Sequence, residues 1–421
     1  MTRLDSAATL DHGVLRFLTA GSVDDGKSTL IGRLLYDSHA ILADQLASVE
    51  RASQRRGQGL DLSLLTDGLT AEREQGITID VAYRYFSTPA RKFIVADAPG
   101  HVQYTRNMVT AASTASLAIL LVDARNGIRN QTRRHATLAH LVGIEHLVLA
   151  VNKMDLVDYS KERFDSIVAD FAAFARSTGI RAFEAVPISA SEGDMVVDRG
   201  GSLPWYEGPT LLSLLEAVEV DAAPAQVGFR FPVQYVARSF EGRPRRYLGR
   251  VEAGSIAVGD DVVVLPGGRA TRVQAIETAE GSLARAGLHA SIGLVLEDDI
   301  DVARGDLIAH TASAPPLRRQ LDADLCWLSE RPLDAARTYT LQIATRRVRC
   351  RVTRLKGRWN VETLQYETSA GPLQVNDIAR VTLALAEPVV ADRYVEHRAT
   401  GAFVLVDEHD HATVAAGMVR E

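Results

Sequence analysis

The stretch GSVDDGKST, Gly21 to Thr29, constrains this chain more than any other. Gly21, Gly26, Lys27 and Ser28 fall at the spacing G-x-x-x-x-G-K-[ST]. An apolar run, Val14 to Ala20, precedes it, and a helix-like stretch, Leu30 to Leu35, follows. A strand, a glycine-rich turn and a helix in that order aim several backbone N–H groups at one point, with a helix N-terminus behind them. That is a phosphate cradle. Gly21 and Gly26 permit the backbone angles and the close approach it needs. Lys27 is the expected cation for the β- and γ-phosphates, and the Ser28 hydroxyl the expected ligand of Mg²⁺. Such a spacing also arises in ordinary turns, but the flanking strand and helix argue against that here.

Three further segments name the nucleotide. KFIVADAPGH is an apolar strand ending in Asp97-Ala98-Pro99-Gly100. Asp97 is placed to hold Mg²⁺ through water, and the Gly100 N–H to sense the γ-phosphate. LVLAVNKMDL ends a strand in Asn152-Lys153-Met154-Asp155. A carboxylate at 155 accepts from the N1–H and 2-amino group of guanine. Adenine has neither, and such a mismatch discriminates by about 10⁴-fold. Lys153 lays its stem over the base, and Asn152 ties loops together. In VPISASEG, Ser189-Ala190 brings a backbone N–H toward the guanine O6. The bound nucleotide is therefore read as GTP with Mg²⁺.

The remaining candidates are Thr78 and His101. Thr78, in EREQGITID, offers a hydroxyl to Mg²⁺ and an N–H to the γ-phosphate. Loss of the phosphate then releases the segment, an order–disorder switch. His101 follows the γ-phosphate sensor and is expected to orient the attacking water. The candidate catalytic residues are thus His101, Lys27 and Thr78, and the candidate metal ligands Ser28, Thr78 and Asp97.

At 421 residues the chain has room for about three domains of roughly 150 residues. The first half alternates apolar strands at 14–20, 93–96, 117–122, 146–151 and 183–188 with helical patterns at 27–36, 103–113, 131–142, 160–177 and 209–219. That alternation predicts an α/β domain, a mostly parallel sheet with helices on both faces, over 1–222. DAAPAQVGFRFPVQYV reads as a linker. Short β-rich segments split by glycines follow, predicting a first β-barrel over 223–313 and, after the linker-like ASAPPLRRQ, a second over 314–421. A net charge of −6 argues against a nucleic-acid binder. Two cysteines, Cys326 and Cys350, make a disulfide framework improbable and fit a reducing compartment. With no signal peptide and no apolar run long enough for a bilayer, the expected location is the cytoplasm, with no membrane partner.

Together these segments resemble the translational GTPase superfamily, with its GTP-binding domain and two following β-barrels. The match is closer to one branch, the GTPase subunit of heterodimeric bacterial ATP sulfurylase. GSVDDGKSTLIGRLLYDS, EREQGITIDVAYRYF, APGHVQYTRNMVTAAS, LLVDARNGIRNQTRRH, AVNKMDL, PWYEGPTLL, EDDIDVARGDLI and RATGAFVLVDEHDHATVAAGMV carry the resemblance. Elongation factors usually place histidines where Ser22 and Asp25 stand here, which favours the sulfurylase branch. Val102 and Ala98 depart from the residues commonest beside the γ-phosphate sensor. The resemblance implies that GTP hydrolysis drives ATP and sulfate to adenosine 5′-phosphosulfate and pyrophosphate. It places the adenylyl-transfer site on a separate small catalytic subunit, in a heterodimer that is open to higher-order assembly. Some relatives carry a fused adenylylsulfate kinase; no second phosphate loop occurs here, so that activity is not expected. The alternative is an elongation-factor-type GTPase that binds aminoacyl-tRNA.

Three features lie outside the nucleotide motifs. In TRRVRCRVTRLKGR, Arg347, Arg349 and Arg351 alternate with Val348, Cys350 and Val352, the period of a strand with one face in a core. Its basic face reads as solvated, or else as a docking surface for an acidic partner or RNA. Trp205 and Tyr206 are expected to pack rather than touch ligand. The polar insertion at 37–75 is unusually long for a connection and reads as part of the mobile switch and as a candidate partner contact.

Overall fold

The computed structural model describes residues 13–41, 44, 46, 47, 49, 51, 53, 61–65, 81–98, 105–219, 228–237, 244–360, 363, 365–368 and 371–420. Thr78, Pro99, Gly100 and His101 lie outside the described residues. The chain divides into two compact units, Met1–Val220 with Val361–Leu364, and Asp221–Asn360 with Gln365–Glu421.

The first unit is built on one six-stranded sheet. Its strands are β1 (Val14–Gly21), β2 (Ala82–Ser87), β3 (Lys92–Asp97), β4 (Leu117–Asp123), β5 (His146–Asn152) and β6 (Glu184–Pro187). The order is β2-β3-β1-β4-β5-β6, with β2 antiparallel to β3 and the other pairs parallel. All seven residues of β4 are buried, as expected of a parallel strand covered on both faces. The helices are α1 (Lys27–Asp37), α2 (Thr105–Thr114), α3 (Asn130–Leu141), α4 (Lys161–Thr178) and α5 (Leu211–Ala217). α4 starts on Ser160, whose hydroxyl accepts the Arg163 N–H at 3.2 Å, and stops at Gly179 with φ 80°. Phe86 stacks on Phe93 at 4.6 Å, and Phe17 meets both edge-on. The parallel order brings the ends of β1, β3, β4 and β5 to one rim of the sheet, where ligands of such sheets bind.

Two elements of this unit differ from the sequence reading. β2 is an edge strand that was not anticipated; Tyr83 and Tyr85 are exposed on it, so its apolar signal is weak. Part of the 37–75 insertion is packed rather than free. Leu62, in a 3₁₀ turn over Leu62–Leu65, is buried against α1. A Cβ on Gly32 would lie 2.2 Å from the Leu62 carbonyl, so α1 carries glycine where the insertion crosses it. Trp205 and Tyr206 pack on Phe164 at 5.5 and 6.1 Å.

The second unit holds two closed six-stranded rings. The first uses β7 (Arg230–Ala237), β8 (Arg246–Arg250), β9 (Ile256–Ala257), β10 (Asp261–Leu265), β11 (Arg269–Thr278), β12 (Gly281–Leu283), β13 (Arg285–Ala286), β14 (Ser291–Leu296) and β15 (Leu307–His310). Its wall runs β10-β15-β7-β8-β14-β11 and closes by β10–β11 pairing; β12 extends it and β9–β13 form a separate ribbon. The second uses β16 (Leu317–Trp327), β17 (Tyr339–Ile343), β18 (Arg346–Asn360), β19 (Gln365–Glu367), β20 (Ile378–Val390), β21 (Ala402–Asp407) and β22 (Thr413–Val419). It runs β17-β21-β22-β16-β20-β18 and closes by β17–β18 pairing, with β19 appended; a one-turn helix α6 (Arg398–Gly401) precedes β21. Each ring has its own apolar core. The linker-like stretches turn out shorter than they read. Phe229, Phe231 and Val233 are buried in the first ring, and β16 already begins at Leu317.

On β18 the alternation is as read: Val348, Cys350 and Val352 are buried while Arg347, Arg349 and Arg351 are exposed. Burial pushes the Cys350 thiol up to about 12. Within this unit the rings meet through a buried pair, Arg230 with Asp392, at 3.0 and 3.1 Å. Thr400 donates to the same carboxylate at 2.5 Å, and His397 Nε2 donates to the Glu252 carbonyl at 2.7 Å. No helix among the described residues is long and apolar enough to cross a membrane.

Candidate nucleotide site

The 21–29 loop leaves β1 at Gly21 and enters α1 at Lys27. Gly26 caps the helix in a left-handed conformation, φ 94°, where any Cβ would meet the Asn152 amide at 2.4 Å. Asp24 also has a positive φ, 65°. The loop is fastened from within. The Asp25 carboxylate accepts the Ser22 N–H at 2.6 Å, and Lys27 Nζ donates to the carbonyls of Ser22 and Gly21 at 2.7 and 3.2 Å. Lys27 is 7% exposed. Burial pulls its pKa down, against the opposing pull of Asp97, Asp25 and Asp24. An ammonium held this way is partly dehydrated and faces carbonyls, which an anion is able to replace as a stronger partner. The buried Ser22 hydroxyl has no hydrogen-bond partner among the described residues.

Asp97 ends β3 beside the loop and accepts from Thr19 Oγ1 at 3.3 Å, while the Ala98 N–H reaches the Thr19 carbonyl at 3.3 Å. Both are buried. Ser28 lies in the first turn of α1 and is partly exposed, as are Val23 and Thr29. A single carboxylate with a hydroxyl is the donor set Mg²⁺ takes when phosphate oxygens and water complete its shell. The residues present therefore fit the ion, with no group of three or more His, Cys, Asp or Glu side chains gathered for it among the described residues.

The base-reading segments converge on the loop. Asn152, at the end of β5, donates to the Asp25 carbonyl at 2.8 Å and accepts the Ala190 N–H at 3.0 Å. Lys153 has φ 62°; its ammonium donates to the Asp24 carbonyl and pairs with Asp123 at 3.0 Å. Met154 is buried, and its N–H bonds the Ile188 carbonyl at 3.2 Å. Asp155 accepts from the Ser189 hydroxyl at 2.6 Å, which fixes the carboxylate's rotation. Arg33 of α1 donates to the carbonyls of Ala190 and Ser191. Gly21 to Thr29, Asn152 to Asp155, and Ser189-Ala190 are thus brought together by named bonds. Thr78, Pro99, Gly100 and His101 carry no described geometry.

Two supporting residues escaped the sequence reading. Asp123, at the end of β4, accepts from the Arg125 N–H and guanidinium at 2.9, 3.1 and 2.6 Å as well as from Lys153. Burial raises its pKa, but these partners outweigh that and hold the carboxyl well below its usual range. His135, on α3, accepts the Gly21 N–H through Nδ1 at 3.1 Å. Nothing in the local sequence marks it, because its partner lies 114 residues away.

Comparison with known proteins places this geometry among relatives. The family model for the elongation factor Tu GTP binding domain matches residues 12–224, and that for the GTP-eEF1A C-terminal domain-like family matches 320–420. "Bifunctional enzyme CysN/CysC" of Mycobacterium tuberculosis is 52% identical over 411 residues, covering 96% of this chain and 67% of that protein. "Sulfate adenylyltransferase subunit 1" of Laribacter hongkongensis is 50% identical over 414 residues, covering 97% and 85%. The protein of that name from Bacteroides thetaiotaomicron is 47% identical over 435 residues, covering 99% and 89%.

Proposed function

This chain belongs to the sulfate adenylyltransferase subunit 1 family, and we propose that its GTPase drives adenylyl transfer from ATP to sulfate, giving adenosine 5′-phosphosulfate and pyrophosphate. That transfer is strongly uphill alone, so a second hydrolysis must be linked to it. The observation that carries the nucleotide assignment is Asn152, which joins the phosphate loop to the Ala190 loop through two bonds.

GTP lies with its phosphates on the N–H groups of the 21–29 loop. Lys27 leaves the Ser22 and Gly21 carbonyls for the β- and γ-phosphates, and the charge it brings is greatest where the leaving group develops charge. Ser28, Asp97 and Thr78 hold Mg²⁺, which supplies further positive charge to the phosphates. Asp155, kept in rotation by Ser189, reads the guanine edge, and the Ala190 N–H serves O6. His101 orients the attacking water. Three domains, 1–222, 223–313 and 314–421, carry these roles and the barrels. The adenylyl-transfer site is on a small catalytic subunit that forms a heterodimer with this chain in the cytoplasm. Coupling requires that the partner make different contacts with the GTP and GDP states.

The test uses the purified chain with and without a small sulfurylase subunit. Alone it should hydrolyse GTP slowly and make no adenylylsulfate. Together, ATP and sulfate should speed GTP turnover, and adenylylsulfate should exceed its GTP-free equilibrium. A non-hydrolysable GTP analogue should not support that excess. A chain indifferent to the small subunit that bound aminoacyl-tRNA only in its GTP form would replace this reading with the translation factor.

A further inference from the structure

Gly21 is the hinge between β1 and the phosphate loop, and it is clamped on three sides. Its N–H donates to His135 Nδ1 at 3.1 Å, and its carbonyl accepts from Lys27 Nζ at 3.2 Å. A Cβ there would lie 2.8 Å from the Leu121 carbonyl. His135 is 1% exposed, and its Nε2 lies 2.7 Å from the Gln131 side-chain amide, one helical turn earlier on α3.

The bond from Gly21 settles the tautomer. A ring nitrogen that accepts an N–H carries no proton, so the proton sits on Nε2; the Gln131 amide nitrogen is the atom 2.7 Å from it, and turning that amide over gives the proton its oxygen acceptor. The imidazole is also held neutral. Burial first, then Lys27 and Arg134, push its pKa down to about 3.

We infer that His135 is a positioning residue for the nucleotide. As a neutral acceptor fixed by Gln131, it sets the Gly21 hinge so that the loop N–H groups already face the phosphates. Without it the Gly21 N–H is buried and unpaired, and the loop must be ordered at the moment of binding, which weakens affinity. The effect should fall equally on GTP and GDP, because the hinge is remote in role from γ-phosphate sensing. This rests on the reading that the 21–29 loop holds the phosphates.

Asparagine puts an oxygen near the place of Nδ1, whereas leucine has similar bulk and no acceptor. In the full-length chain, His135→Leu should weaken GTP and GDP binding by about ten-fold, with KM rising more than kcat falls. His135→Asn should recover most of that, to within about three-fold of the parent. Equal affinity for both variants and the parent would overturn the inference, as would a loss confined to kcat. Should the leucine variant fail to fold, ¹⁵N NMR of the parent decides: an Nε2–H tautomer that does not titrate between pH 5 and 8 supports it, and an Nδ1–H tautomer overturns it. A parent chain that binds no GTP would instead refute the nucleotide reading itself.

Discussion

Asn152 donates its side-chain amide to the Asp25 carbonyl at 2.8 Å, a bond across 127 positions of sequence. The same amide takes the Ala190 N–H, which is buried. Asn152→Ala strands both backbone groups. It should cost about 1–3 kcal/mol in urea unfolding and weaken GTP binding as well. A variant with parental affinity and stability would show that the loops hold together without it.

Asp155→Asn should move base preference from guanine toward xanthine. Asparagine offers one donor and one acceptor, and xanthine has a carbonyl where guanine has its 2-amino group. The Ser189 hydroxyl, 2.6 Å from Asp155, keeps the replaced side chain in the same rotation. Hydrolysis of GTP and XTP compared side by side reads the outcome, and an unchanged GTP preference would remove Asp155 from the base site.

His101→Ala and Ser28→Ala should give contrasting patterns. The first should slow hydrolysis with GTP binding nearly intact, because water and not the ground-state nucleotide is its partner. The second should weaken Mg²⁺-dependent binding. Equal losses of binding and rate in His101→Ala would make that histidine structural.

The buried imidazole of His135 predicts a pH signature. In the unfolded chain it gains a proton near 6.5, and in the folded chain only at about 3. Between those values the unfolded state binds more protons, so stability falls as pH falls, by up to about 1.4 kcal/mol per pH unit. The contribution is complete above 6.5. Denaturant melts at pH 7.5 and 5 should therefore show the parent losing roughly 2 kcal/mol more than His135→Asn. Parallel losses would mean the ring is not held neutral.

Arg230 and Asp392 are both almost fully buried where the two rings of the second unit meet. Asp392→Ala leaves the guanidinium uncompensated and should cost about 3–5 kcal/mol. Replacing both by apolar residues of similar volume should cost much less. A double-mutant cycle by thermal melting tests this, and additive losses would show that the pair is not coupled.

The sequence was most readable where chemistry and chain order coincide. Gly21 to Ser28 could be recognised because the strand, the turn and the helix that make the cradle are contiguous. Asp97 stood out because it ends an apolar strand, and Asp155 because it follows one within three residues. His135 and Asp123 could not, since their roles depend on partners that only the parallel sheet order brings close. β2 was obscured for a different reason: an edge strand with Tyr83 and Tyr85 exposed lacks the continuous apolar run of its buried neighbours. The start of β7 was obscured because Pro232 and the small residues before Phe229 outweighed the buried Phe229, Phe231 and Val233 in the local pattern.

Closure of the two rings decides how other chains are able to adhere to them. In each wall the backbone N–H and C=O groups are spent on neighbouring strands, through β10–β11 in one and β17–β18 in the other. The ribbons appended to the walls, β12 and β19, have three residues each. A wall without a long free margin cannot template an incoming strand, so it resists fibrous self-association by strand addition. Among the described residues these walls offer a partner mainly side chains, with free backbone margins only at the short β12 and β19.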